Sequence, residues 1–487
     1  MSGPRRIAIV GAGIAGLSTA YHLEKLSRER GEGLDCRLLE SAAVVGGVIR
    51  SERVGGFLLD TGADSLFKGK PAAIDLSREL GLGDEILEAS RQELPTLIYS
   101  RGRLRPLPAG LEMLSPTRVL PFLMSGLISL PGKLRMFAEP FVASGAADAD
   151  ESVAAFMTRR FGAEASEKIA GPLFAGIHAG DPERLSILST FPRLVELERR
   201  HGSLAAALRK GPKAPGGPPP SAPGRPGPPF VSFRGGIRRI VEALESSLRS
   251  TRIERGATVA RLERTAGGYR VHIAGREPVD VDACVVAVPA PQGAGLLDSM
   301  SPGVASELRK IRYASSATVF LGYRAVDTGS LPGSTGFLIP FTERRRIFGC
   351  TFVSNKFLGR APDGSVLLRA FVGGAVDESR AETGDAEMVA MVREELAFLI
   401  GLRAEPTLVH IARWPKANPQ YDVGHRGIVA AVDAELRDLP GLIVTGSGLR
   451  GVGIPDGVAS GRAAAARILG EPLPRGGASL DRATRGP

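Results

Sequence analysis

Apolar positions along this chain recur in two rhythms, and each change of rhythm marks a change of element. Ile7-Ala8-Ile9-Val10 is a short apolar run, the pattern of a strand buried on both faces of a parallel sheet. Leu17 to Leu26 reads as a helix, and Cys36 to Leu39 as a second buried strand ending in Glu40. Pro71 to Gly81 predicts a helix, and Thr96 to Arg105 a hairpin with Arg101-Gly102 near its turn. Leu111 to about Lys210 reads as mostly helical, with Phe122, Leu123, Leu127, Leu130, Leu134, Phe137 and Phe141 at helical spacing. That stripe has two readings, a lobe core or a face that meets lipid with Lys133 and Arg135 beside it. A helix starts at Gly235-Gly236-Ile237, and strands near Thr258-Val259 and from Cys284 to Val288 return to the amino-terminal domain. Tyr269 to Ile273 alternates, as a strand with one polar face does. From about Pro291 to Ala412 strands and helices alternate, and Leu442 to Gly446 is a last buried strand before an Ala-rich helix to about Leu469.

At 487 residues the chain exceeds a single core, so two or three units are expected. Gly211 to Pro229, dominated by Pro and Gly, reads as a flexible loop. Cys36, Cys284 and Cys350 are far apart with no C-x-x-C pair, which argues against a disulfide framework, a zinc site or thiol-redox chemistry and suits a cytoplasmic protein. A formal charge of +10 raises nucleic acid and anionic lipid as partners. The arginines are scattered among acids and aromatics are few, so nucleic acid is not expected. Met1 to Arg6 leads straight into a strand without an apolar leader, and Val119 to Leu130, broken by Pro121, is too short to span a bilayer, which takes about twenty residues.

The chemistry begins where the first strand ends. Gly11-Ala12-Gly13-Ile14-Ala15-Gly16 lies between strand and helix, and Glu40 closes the following strand, so the G-x-G-x-x-G sits in a full βαβ unit. Gly11 permits the tight turn, Gly13 lets backbone approach a pyrophosphate, and Gly16 lets helix and strand pack closely. The helix amino terminus offers N–H groups to phosphate, and Glu40 is placed to accept from a ribose. Gly46-Gly47 opens a second close turn, Arg50 can neutralise phosphate, and Gly62-Ala63-Asp64-Ser65 follows the next strand. Together these resemble the FAD-binding amine-oxidase superfamily.

Near the other end, Gly446-Ser447-Gly448-Leu449-Arg450-Gly451 formally repeats G-x-G-x-x-G, but only 36 residues follow Gly451, too few for a second nucleotide domain. Gly453-Ile454-Pro455 instead opens a helix whose amino terminus would stabilise negative charge on a reduced flavin. The FAD site is therefore expected to be split between the two ends of the chain. No NAD(P)H domain is evident, so oxygen or a quinone is the expected oxidant, and no cysteine is placed for covalent flavin attachment.

Gly171 to Pro182 with the core Gly176-Ile177-His178-Ala179-Gly180-Asp181, then Arg413 to Tyr421 and the Gly453-Ile454-Pro455 turn, resemble the protoporphyrinogen oxidase family over nearly the whole chain. The resemblance implies an α/β fold of the p-cresol methylhydroxylase-like kind. Its parts would be a Rossmann-like FAD-binding domain (1–70, 230–290 and 430–487), a mixed-sheet substrate domain (71–104 and 291–429), a helical membrane-associating lobe (105–210) and the loop 211–229. It also implies non-covalent FAD held by Gly11, Ala12, Gly13, Ile14, Ala15, Gly16, Glu40, Gly47, Arg50, Gly62, Ala63, Asp64, Ser65, Val259, Trp414, Gly453, Ile454 and Pro455. The implied reaction removes six electrons from protoporphyrinogen IX in three hydride transfers to flavin N5, giving protoporphyrin IX for haem. Molecular oxygen is the implied acceptor, the inner face of the cell membrane the site of peripheral attachment, and ferrochelatase hand-off and a homodimer the implied assemblies.

Gly176 is either the carbonyl that orients pyrrole hydrogens, the family role, or a plain turn glycine. Phe337, Leu338, Ile339 and Phe357 match segments that sandwich the macrocycle, or are core. Thr96 stands where the family carries an Arg for a substrate propionate; Thr96 itself, Arg101, Arg103 or another base would then meet that carboxylate. Three alternatives of function stay open: a coproporphyrinogen III oxidase of the same fold, an amine oxidase or carotene desaturase, and an FAD-containing porphyrin carrier without catalysis.

Overall fold

The computed structural model describes residues 4–89, 94–108, 111–112, 115–116, 118–146, 149–209 and 229–470. Its centre is a five-stranded parallel sheet in the order 251–255, 34–40, 5–10, 283–286, 442–444. Strand Arg5–Val10 has neighbours on both sides that come from later in the chain, so the sheet reverses direction of winding beside it. Such a switch point, at the carboxyl end of the strands, is where open α/β sheets bind ligands.

The first helix, Ile14–Arg30, is longer than the apolar spacing predicts because nothing breaks it before Gly31, which ends it in a left-handed turn. Across it lies the last helix, Ile454–Ile468. The two approach through small residues: a Cβ on Gly461 would stand 2.5 Å from the Ala15 carbonyl oxygen, and Ser18 Oγ donates to the Val458 carbonyl at 2.9 Å. Opposite ends of the chain therefore meet on one face of the sheet.

A seven-stranded sheet forms the second layer, in the order 408–420, 312–324, 365–373, 349–352, 336–338, 96–100, 103–106. All its pairs are antiparallel except Gly336–Leu338 with Thr96–Ser100. The predicted hairpin is present, and Arg101 (φ 53°) and Gly102 (φ 79°) both take the left-handed conformation that a tight two-residue turn requires. The segment Val259–Thr265 pairs with Gly268–Ile273 in a separate antiparallel sheet, its buried residues packed against the parallel one. The strand that does enter the parallel sheet there is Thr251–Arg255. It lies at the sheet's edge, half exposed, so its sequence lacks the apolar run that marks the inner strands.

The helical lobe buries part of the apolar stripe and exposes the rest, and the two bases expected to face lipid turn inward instead: Lys133 Nζ donates to the Leu123 carbonyl at 2.7 Å and Arg135 Nη1 to the Arg160 carbonyl at 3.0 Å. Phe122 and Leu127 are buried in the lobe core, whereas Leu120, Met124, Leu130, Leu134 and Phe141 are exposed, Phe141 at 90 %. Inside the lobe, buried Arg160 pairs with Glu139 and with Glu198 at 3.2 Å. The Pro/Gly loop, apart from Pro229, and residues 471–487 lie outside the described residues. None of the described helices is long and apolar enough to cross a membrane.

Candidate functional site

One continuous cavity of about 5340 Å³ runs from the switch point between the sheets to the helical lobe. A pocket for one drug-sized ligand is roughly 300–1,000 Å³, so a dinucleotide and a macrocycle fit together. Its walls include Gly11, Gly13, Ile14, Ala15, Glu40, Gly47, Gly62, Ala63, Asp64, Ser65, Val259, Trp414, Gly453, Ile454 and Pro455, and also Thr96, Gly176, Phe337 and Leu338. Ala12, Gly16, Arg50, Ile339 and Phe357 are not in the lining. Ala12 and Gly16 sit behind the turn, and Ile339 and Phe357 are packed into the protein at 2 % and 1 % exposure. Arg50 is exposed; its Nε donates to the Gly47 carbonyl at 3.1 Å and its guanidinium lies 5.9 Å from the Trp414 ring centre.

The glycine turn has the shape of a phosphate cradle. Gly11 has φ +98°, and a Cβ on Gly16 would fall 1.9 Å from the Gly11 carbonyl oxygen, so neither position accepts a side chain. Gly13 differs: a Cβ there meets nothing within 4 Å, because that direction opens on the cavity. Gly47 faces it from the second turn, its own Cβ direction ending 3.6 Å from Gly13 Cα. No side chain caps the first helix, which leaves its terminal N–H groups directed at the same space. Glu40 accepts from Ala12 N–H at 2.8 Å and from Ala42 N–H at 2.8 Å. A carboxylate has about four acceptor sites, so capacity remains for ribose hydroxyls. These residues fit FAD: donors stand where a pyrophosphate needs them, an acceptor where a ribose needs it, and side chains are missing where the ligand must pass.

Beyond the cradle, Thr61 and Gly62 are pinned from the second sheet. Trp414 Nε1 donates to the Thr61 carbonyl at 2.9 Å, and Arg369 Nη2 to the Gly62 carbonyl at 2.5 Å. Asp64 takes Lys356 Nζ at 2.8 Å and stands 3.9 Å from Arg369 Nη1. Burial alone would raise the Asp64 carboxyl, yet Lys356 and Arg369 hold it well below the usual carboxylate range. The turn carrying Ser447 and Gly451 is held by Tyr421, whose hydroxyl donates to the Ser447 carbonyl at 2.6 Å and accepts from Gly451 N–H at 2.7 Å.

At the far wall, Gly176 lies in the last turn of helix Gly171–His178, where carbonyls lack a partner four residues on. Its conformation is helical, and a Cβ there would make only an ordinary 3.5 Å contact with Leu338. Neither a turn nor packing demands glycine, so the turn reading fails on geometry; what a side chain would obstruct is the cavity. Thr96 lines the cavity, but Arg101 points to Glu164 at 3.4 Å, and neither it nor Arg103 reaches the lining.

Lys70, His178, Lys356 and Arg369 also line the cavity, and no motif in the sequence gives them a role. Arg369 was detectable in principle, as a cation on the inward face of the apolar strand Ser365–Gly373. His178 is buried with Nδ1 lacking a hydrogen-bond partner among the described residues, and burial, aided by nearby Lys70, lowers it to about 4. The unfolded chain therefore binds a proton near pH 6.5 that the folded chain refuses until about pH 4. Stability from this group is present above pH 6.5 and lost as pH falls toward 4. The melting temperature is expected to drop over that window, and to drop less in His178→Phe; equal slopes for both proteins would contradict the assignment.

A Rossmann-type sheet, a bare helix terminus over paired glycine turns and an acid on the second strand define an FAD-binding oxidoreductase. The chain belongs to the flavin containing amine oxidoreductase family, whose model matches residues 14–469, and it is an FAD-dependent oxidase. It is similar to the Coproporphyrinogen III oxidase of Bacillus subtilis (strain 168), 32% identical over 468 residues that cover 96% of this chain and 98% of that protein. It is also similar to the mitochondrial Protoporphyrinogen oxidase of Nicotiana tabacum, 27% identical over 495 residues, 96% and 95% of the two chains. Among solved structures, a candidate protoporphyrinogen oxidase from Exiguobacterium sp. 255-15 superposes with a TM-score of 0.83 at 29% identity, over 96% of this chain and 99% of that one.

Proposed function

We propose that this enzyme oxidises a porphyrinogen to a porphyrin, with coproporphyrinogen III the preferred substrate over protoporphyrinogen IX. The observation that carries the reading is one cavity joining the FAD cradle to the Gly176 wall, in a chain 32% identical to a coproporphyrinogen III oxidase. Coproporphyrinogen carries four propionates and protoporphyrinogen two, and Lys70 faces this space.

Bound FAD would supply the acceptor for a hydride from a methylene bridge, with molecular oxygen as the terminal oxidant. The protein's part is placement, since geometry near the reacting atoms supplies much of such a rate. Gly11 to Gly16, Glu40, Gly47 and Gly62 to Ser65 hold the dinucleotide, with Val259, Trp414 and Gly453 to Pro455 closing on it and Arg50 at the rim. The Gly176 carbonyl accepts from pyrrole N–H groups and so turns one bridge toward the flavin. Phe337 and Leu338 cover the macrocycle and exclude water, and the Thr96 hydroxyl donates to a propionate. In this reading the FAD-binding, substrate and helical lobes follow the boundaries read from the sequence.

Porphyrin fluorescence separates the substrates. Purified protein given each porphyrinogen is expected to form coproporphyrin at least tenfold faster than protoporphyrin. Equal rates sink the preference, and no porphyrin from either sinks the reading. Gly176→Ala is expected to keep its FAD and melting temperature, because its Cβ meets only ordinary contact, while porphyrinogen turnover falls at least tenfold. Turnover within twofold of the parent protein would remove Gly176 from the site.

The exposed apolar face on helices Val119–Met124 and Leu130–Phe137 supports the reading of a cytoplasmic enzyme attached peripherally to the inner leaflet. Substituting Leu120, Met124, Leu134 and Phe141 together by Ser is expected to abolish co-sedimentation with anionic vesicles and leave turnover of dispersed substrate intact. Undiminished co-sedimentation would contradict it. Hand-off of product to ferrochelatase and a homodimer belong to the same proposal.

A further inference from the structure

The charges around Asp64 do not cancel. Arg360 pairs with Asp60 at 3.0 Å, and both are buried. Beside them Asp64 faces two cations, Lys356 at 2.8 Å and Arg369 at 3.9 Å. Three cations thus meet two carboxylates, leaving one positive charge uncompensated among the described residues. Burying a charge is costly unless it is well paired, so a surplus cation at this depth calls for an anion that the protein itself does not supply. Arg369 is 6 % exposed, its Nε has no hydrogen-bond partner among the described residues, and its guanidinium lies 5.4 Å and 5.0 Å from the ring centres of Phe320 and Phe371. Water screens it little.

The position of the cluster identifies the anion. Arg369 donates to the Gly62 carbonyl, and Asp64 lies two residues on in the same cradle segment, so the surplus charge bears on the dinucleotide wall. We propose that Asp64, Lys356 and Arg369 form a cluster of one net positive charge that stabilises the negative charge the flavin acquires on taking a hydride, and so sets its reduction potential. The inference rests on the reading that FAD lies against Gly62 to Ser65. Electrons and protons balance: the substrate methylene C–H bond breaks with its electron pair, the flavin gains two electrons and one proton and is left with one negative charge, and a pyrrole N–H proton passes from the substrate cation to solvent. Asp64 fixes the two cations side by side and moderates them, and loss of either cation removes the surplus.

The test is an anaerobic dye titration of the flavin in the holoenzyme, with FAD content recorded for each variant. Lys356→Met is expected to lower the equilibrium constant for reduction about tenfold, equivalent to ~30 mV for a two-electron couple. Asp64→Asn should raise it by a similar factor, and the double variant should return to within about threefold of the parent, since its net charge is restored. Lys356→Arg should keep the parent value, and this pair decides the matter should Asp64→Asn fail to fold. Potentials that do not move, or that move in the same direction in the two single variants, overturn the proposal. So does an unmoved potential with weakened binding of coproporphyrin, which would assign the surplus charge to a substrate carboxylate. A parent protein that takes up no FAD overturns the cofactor reading itself, and is told apart because no flavin spectrum is then seen in any sample.

Discussion

Gly16→Ala is expected to yield protein without flavin and with FAD affinity at least a hundredfold weaker. The added Cβ would stand 1.9 Å from the Gly11 carbonyl oxygen and 3.1 Å from its carbon. Both are backbone atoms of the turn, so the clash can be relieved only by separating the helix from the strand, which destroys the phosphate cradle. Gly13→Ala makes the informative contrast. With nothing within 4 Å of its Cβ, it is expected to fold and melt as the parent does, yet to lose FAD affinity because the methyl group occupies ligand space. Flavin absorbance on purification and titration of the apoprotein check both. Full FAD binding by Gly13→Ala would show that the pyrophosphate lies elsewhere.

The second large effect is on stability. Arg160 is fully buried and donates to the Val142 carbonyl at 2.9 Å as well as pairing with Glu139 and Glu198. Burial alone would raise the Glu139 carboxyl, but Ser203, Leu204 N–H and Arg160 hold it below its ordinary range, so it is ionised inside the lobe. Arg160→Leu leaves that carboxylate without its counter-charge. Breaking one side of a buried pair costs about 3–5 kcal/mol, enough to lower the lobe's melting transition by roughly 10 °C. The double variant Arg160→Leu with Glu139→Leu should recover part of the loss, since it removes the stranded charge. Calorimetry or far-UV melting reads both, and an unchanged melt for Arg160→Leu would mean that the ion pair is not formed.

What the sequence disclosed follows from how local each signal is. The cradle was legible because Gly11, Gly13, Gly16 and Glu40 answer to steric and charge demands set within one βαβ unit. The meeting of chain ends was legible from Gly453-Ile454-Pro455 because proline suits a first helical turn and the glycines before it let a planar ligand approach. Strand Thr251–Arg255 was missed, since an edge strand needs no apolar run. The charge cluster was invisible for another reason. Asp64 lies about three hundred positions before Lys356, which ends a short helix, and Arg369, which lies on a strand, and only the second sheet folded over the cradle brings them together. Phe357 and Ile339 show the converse: an apolar residue has the same signature in a wall and in a core.

The account turns on whether both ends of the chain grip one flavin. Absorbance of the purified protein before and after denaturation tests this directly. The expected spectrum has the two visible bands of oxidised flavin, and denaturation should release about one free FAD per chain, as a non-covalent cofactor requires. Colourless protein that stays colourless after incubation with FAD would contradict it.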